Sequence, residues 1–136
     1  MLTFRQIAAD TFALLDHLQI DRVKAIGISG GGIALLHMAT AQPARIEAMV
    51  IVSAPPYFPA QARAIQAQFT EDALPASERA ALRQRHTHGD EQIRVLFENV
   101  KAFATNYDDV SFTPPKLATI TARTLIVFGD RDFRTR

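Results

Sequence analysis

The sequence predicts an α/β protein of three layers, α/β/α, with a mainly parallel sheet and a helical insertion ahead of its last strand. Three observations carry this. An apolar, β-rich run at Val23–Ile28 is followed by a helix-like run and then by a second strand, Ile46–Val52, and that order is a right-handed crossover between parallel strands. The second strand is apolar on both faces at its centre, as when helices cover both sides of a parallel sheet. About sixty residues of helical character then separate it from a third apolar strand at 121–128.

Each element has a local cause. Thr3-Phe4-Arg5-Gln6 has the form of a capping box, with Thr at the N-cap and Gln three residues on. Phe4, Ile7, Ala8, Phe12, Leu15 and Leu18 then recur at helical spacing and mark one buried face over about four turns. A polar connection at 19–22 leads into the first strand. The next helix runs to Pro43, whose preceding residue is pushed out of helical conformation. Ser53-Ala54-Pro55-Pro56 stops the second strand. Helical pieces follow at 59–69, 75–85 and 90–104, the last with an apolar stripe of Ile93, Leu96, Phe97, Val100 and Phe103. Asn106-Tyr107-Asp108-Asp109 ends that stripe, Pro114-Pro115 punctuates the approach to the third strand, and Gly129-Asp130-Arg131-Asp132 follows it.

Composition excludes several classes. With 136 residues, 48% hydrophobic and 21% charged, the chain is long enough for one ordinary domain with a sizeable core. A formal net charge of +1 offers no electrostatic case for nucleic acid or an anionic membrane surface. There is no cysteine, hence no disulfide framework and no thiolate nucleophile or metal ligand. The longest apolar runs are strand-length, short of the ~20 residues of a membrane helix. The chain opens on an amphipathic helix and shows no secretory signal, so the expectation is a cytoplasmic protein.

The chemistry is concentrated in Gly27-Ile28-Ser29-Gly30-Gly31-Gly32, which joins the first strand to the following helix. Gly27-x-Ser29-x-Gly31 is a G-x-S-x-G pattern in strand–turn–helix context. Reversing from strand to helix over so few residues strains the central residue, and the incoming and outgoing backbones pass close together. Gly27 and Gly31 meet that demand for small residues, Ser29 is left on the tip, and the Gly30 N–H starts the helix facing any oxyanion formed there. A Gly-rich connection with an exposed serine is the plainer reading. Dinucleotide binding would require Gly at Ser29 and an acidic residue after the second strand, and a P-loop would require Gly-Lys-Ser/Thr; none is present.

On these residues the chain resembles the α/β-hydrolase family. The resemblance extends to the helix before the first strand, the strand after the motif, the helical insertion as a cap, and a later strand ending in Gly129-x-x-Asp132. It implies a core at 1–56, a helical cap at 57–116, and a core strand with the acid loop at 117–136. It implies Ser29 as nucleophile, Asp132 as triad acid with Asp130 as its competitor, Gly30 as oxyanion donor, no metal or organic cofactor, and a small carboxylic ester or lactone as substrate. Pro55, Pro56 and Tyr57, at the carboxyl end of the second strand, are the pocket-edge candidates.

The family triad runs serine, acid, histidine, and no histidine follows Asp132 in this sequence. His17 reads as a surface residue near a helix end. His37 lies two turns beyond Ser29, about 12 Å along the helix axis. His86 and His88 sit in a polar stretch of the cap. None is the base. The chain is expected to be the middle of a longer protein, inactive and poorly soluble or oligomeric alone because sheet edges are left unpaired. A non-catalytic binding member or relic of the fold is the competing reading.

Overall fold

The structure, a computed structural model, describes residues 2–130. Its contacts divide the chain into two units, one of Leu2–Phe58 with the chain from Asp108 onward, the other of Pro59–Tyr107.

In the first unit, helix α1 (Phe4–His17) begins as its capping residue dictates, with the Thr3 hydroxyl accepting from the Gln6 N–H at 3.0 Å. The Gln6 side chain does not return to Thr3; its Nε2 donates to Asp10 one turn on. Phe4, Ala8 and Phe12 are buried, whereas Leu18, expected on the same face, is exposed at the helix end. Strand β1 (Val23–Ile28), helix α2 (Gly30–Ala41), a 3-10 turn at Pro43–Arg45 and strand β2 (Ile46–Val52) follow. Every residue from Gly32 to Ala39 is buried, because this helix is apolar all round and lies centrally, packed by α1 on one side and by β1 and β2 on another.

Strand β3 (Arg123–Val127) completes a parallel three-stranded sheet in the order β1-β2-β3, with Ile28 beside Val52 and Val52 beside Val127. The carboxyl ends of all three strands therefore lie at one edge. Among the described residues the sheet face bearing Ile26 and Ile28 is open, at 72% and 64% exposure. Leu125 and Ile126 on β3 are exposed as well.

The segment at 108–116, expected within the cap from sequence, makes its contacts in the sheet unit. Asp109 is the reason: its carboxylate accepts from the Phe4 N–H at 2.7 Å and the Arg5 N–H at 3.1 Å, satisfying two donors at the start of α1. Phe112 donates its N–H to Pro56, and Tyr57 bridges Ser111. A short helix, Pro114–Leu117, which sequence read only as punctuation, follows; it is named α6 once the cap helices are counted.

The second unit holds α3 (Ala60–Ala67), α4 (Ala76–Arg85) and α5 (Asp90–Ala102). Ala62 and Ile93 form its fully buried centre, and Phe69 stacks on Phe97 at 6.3 Å between centroids. Arg63, itself buried, donates to the carbonyls of Phe103, Ala104 and Asn106 and lies 4.0 Å from the Tyr107 ring centroid. It thereby satisfies carbonyls of the turn that follows α5.

Candidate active site

Ser29 occupies the single residue between β1 and α2, with φ 53° and ψ −122°. That conformation is rare outside glycine and costs of order 1–3 kcal/mol, so neighbouring structure must enforce it. Two sets of bonds do. The Ser29 N–H continues the sheet ladder to the Val52 carbonyl at 2.8 Å, while its own carbonyl accepts from Gly32 and Ile33 as the first turn of α2. The residue is thus strand on its amino side and helix on its carboxyl side.

Ser53 repeats the geometry at the end of β2, with φ 49° and an N–H donating to the Val127 carbonyl at 2.9 Å. In the sequence Ser53 belongs only to the stop signal after the second strand.

The glycines divide differently from expectation. A Cβ on Gly27 would lie 2.6 Å from the Gly32 Cα, and one on Gly32 would lie 2.4 Å from the Ala54 Cβ. The close approach of strand and helix is therefore between Gly27 and Gly32. A Cβ on Gly31 would meet nothing within 4 Å among the described residues, so the steric demand assigned to Gly31 belongs to Gly32. The rotation of about 100° per helical residue explains the shift, since it turns Gly32 toward the strand and Gly31 away from it. At Gly30 a Cβ would lie 2.8 Å from the Phe4 ring, which therefore sits directly against the start of α2. The Gly30 N–H is in the first helical turn and has no intrahelical acceptor.

Asp132 lies outside the described residues. Strand β3, which leads to it, ends at the same sheet edge as Ser29, two strand positions away, or about 10 Å at ordinary strand spacing. Gly129 and Asp130 are exposed there. Tyr57 is exposed beyond the end of β2, beside the backbone of Ser111.

His37 is a packed core residue, 4% exposed, with Nε2 at 2.7 Å from the Asp109 carbonyl and its ring 4.7 Å from that of Phe112. Burial lowers its pKa, the Asp109 hydrogen bond opposes that, and the Lys116 charge reinforces it. Neutral imidazole then donates from Nε2. His17 and His88 are exposed, and the His86 N–H closes the end of α4.

No family model and no curated protein matches the chain, but solved structures do. A meta-cleavage product hydrolase from Pseudomonas fluorescens superposes with a TM-score of 0.58 at 14% identity, over 95% of this chain and 54% of that one. The fold is that of the α/β-hydrolases. A carboxylesterase structure from the thaumarchaeon Nitrososphaera gargenis gives a TM-score of 0.55 at 15% identity, over 95% of this chain and 54% of that one. An N-acyl homoserine lactone degrading enzyme gives 0.57 at 19% identity, over 99% and 59%. The chain thus spans between half and three-fifths of the length of these structures. No helix among the described residues is long and apolar enough to cross a membrane.

Proposed function

We propose that this chain carries the nucleophile half of a serine hydrolase acting on a small carboxylic ester or lactone. One observation carries the reading: a serine, not a glycine, holds a left-handed backbone at the junction of β1 and the buried helix α2. Strain of that kind persists where the surrounding structure enforces it and is concentrated at functional sites.

In the proposed reaction Ser29 Oγ attacks the substrate carbonyl carbon as a base takes its proton. The base, by the order of the family triad, is a histidine following Asp132 in the complete protein, and Asp132 orients it and stabilises its protonated form. The Gly30 N–H and a backbone N–H from an upstream loop bind the tetrahedral oxyanion; losing one such donor typically costs ~10²–10³ in rate. The C–O bond to the leaving group breaks, the histidine returns the proton to it, and water then attacks the acyl-serine to release the acid. A serine here argues against epoxide hydrolases and dehalogenases, which use a carboxylate nucleophile. The carboxylesterase and the lactone-degrading enzyme among the similar structures accord with the substrate class.

The test is reaction of the full-length protein with a fluorophosphonate probe, with ester and lactone turnover followed in parallel. Ser29 is the expected labelled residue, and Ser29→Ala should abolish both labelling and turnover while leaving the folded state intact. Undiminished turnover by the variant would overturn the assignment, and absence of labelling in the parent protein would favour the non-catalytic reading.

A further inference from the structure

Outside the sheet edge, the molecule has a second concave feature with chemistry of its own. A cavity of about 470 Å³ runs along the outer groove between α1 and α2. Short side chains open it: Ala8 and Ala13 on α1 leave space that longer residues would fill, and Phe12 lines the apolar part. At one end stand two cations, Arg5 from the first turn of α1 and Lys116 from α6.

Among the described residues neither cation has a carboxylate within ion-pair distance. The Arg5 Nη2 donates to the Asp108 carbonyl at 3.4 Å, and the Lys116 Nζ lies over the Phe112 ring, 4.6 Å from its centroid. Asp109 is nearby, but its two oxygens accept the Phe4 and Arg5 N–H groups. Burial and then the Arg5 charge lower the Lys116 pKa, while the Asp109 carboxylate raises it. His37 lines the same cavity in neutral form and adds no charge. At the opposite end Asp16 is neutralised by Arg45.

We propose that this trough is a second binding site, for a small carboxylate with an unbranched apolar body, its head between Arg5 and Lys116 and its tail over Phe12. Two cations set against one committed carboxylate leave about one net positive charge, which suits a monoanion rather than phosphate. The distance from Arg5 to Asp16 along α1, about 16 Å at 1.5 Å per residue, accommodates an extended medium-length chain. The site is independent of Ser29.

The experiment is an NMR titration of the protein with sodium octanoate, and separately with acetate and with inorganic phosphate, at constant ionic strength. Octanoate is expected to saturate with a Kd of about 1 mM or tighter, and to raise the pKa of both His37 and Lys116, since a bound anion favours their charged forms. Arg5→Gln and Lys116→Gln should each weaken binding roughly tenfold, the scale of one charge-assisted hydrogen bond. Ala13→Leu should exclude octanoate by filling the groove while leaving acetate unaffected. Absence of saturable octanoate binding would overturn the proposal, as would binding that survives the double Gln variant. Equal affinity for acetate or phosphate would reduce the site to an adventitious ion only. These readouts involve no turnover, so they stand apart from the outcome at Ser29.

Discussion

The two units are built by different physics. In the sheet unit the decisive contact is backbone against backbone: Gly27 meets Gly32 with no room for a methyl group on either, and Gly32 also lies against the Ala54 methyl. In the cap unit helices are held by side chains. Ile93 fills the centre, Arg63 gathers three carbonyls, and α4 has no buried residue at all. Backbone contacts admit no compromise, whereas side-chain contacts are adjusted by substitution. Ser29, the nucleophile of the proposed reaction, lies in the inflexible part.

The sharpest way to break this comparison is at the glycines. Gly27→Ala or Gly32→Ala should destabilise by about 4 kcal/mol or more, read from denaturant midpoints, since the obstructing atoms include backbone that cannot rotate away. Gly31→Ala should instead stabilise by about 0.5–1 kcal/mol, as a glycine in helix with open space at its Cβ. Equal losses at Gly31 and Gly32 would show that the close approach has been misplaced.

Next in size is Ile93→Ala, with an expected loss of about 3 kcal/mol from a fully buried side chain. Hydrogen exchange should report it as faster opening within Pro59–Tyr107, with amides of α2 still protected. Accelerated exchange throughout would mean that the units unfold together.

A smaller effect tests the buried histidine. Burial places the pKa of His37 below its ordinary 6.5, so the unfolded chain binds that proton more readily than the folded one. Its contribution is present in full above about pH 6.5 and is lost as pH falls below that. His37→Gln, which retains a donor for the Asp109 carbonyl, should flatten this part of the stability curve between pH 7.5 and 5. An unchanged slope would rule out His37 as its source. Least of all is expected from Arg94→Ala on the exposed face of α5, where pairs with Glu91 and Glu98 should leave the denaturation midpoint unmoved.

Most of the elements were legible because their causes are local. Thr3 caps α1, the apolar runs at 23–28 and 46–52 coincide with β1 and β2, and the three cap helices agree with their patterns to within a few residues. Gly32 was visible as part of a three-glycine run, yet choosing it over Gly31 requires knowing how the helix is rotated on the strand. The left-handed Ser53 had no sequence signal, since serine at a strand end is common.

What the order of residues determined unaided is the succession of strand, reversal and helix, and a serine at the reversal, because hydrophobic period and turn chemistry act over a few neighbours. What tertiary structure alone decided is which groups those pieces bring together. Asp109 reaches the first turn of a helix 105 residues earlier in the chain, and His37 is spent on that same segment instead of on chemistry. Contacts at that separation leave no periodicity to read, since they depend on the path of the whole chain between them.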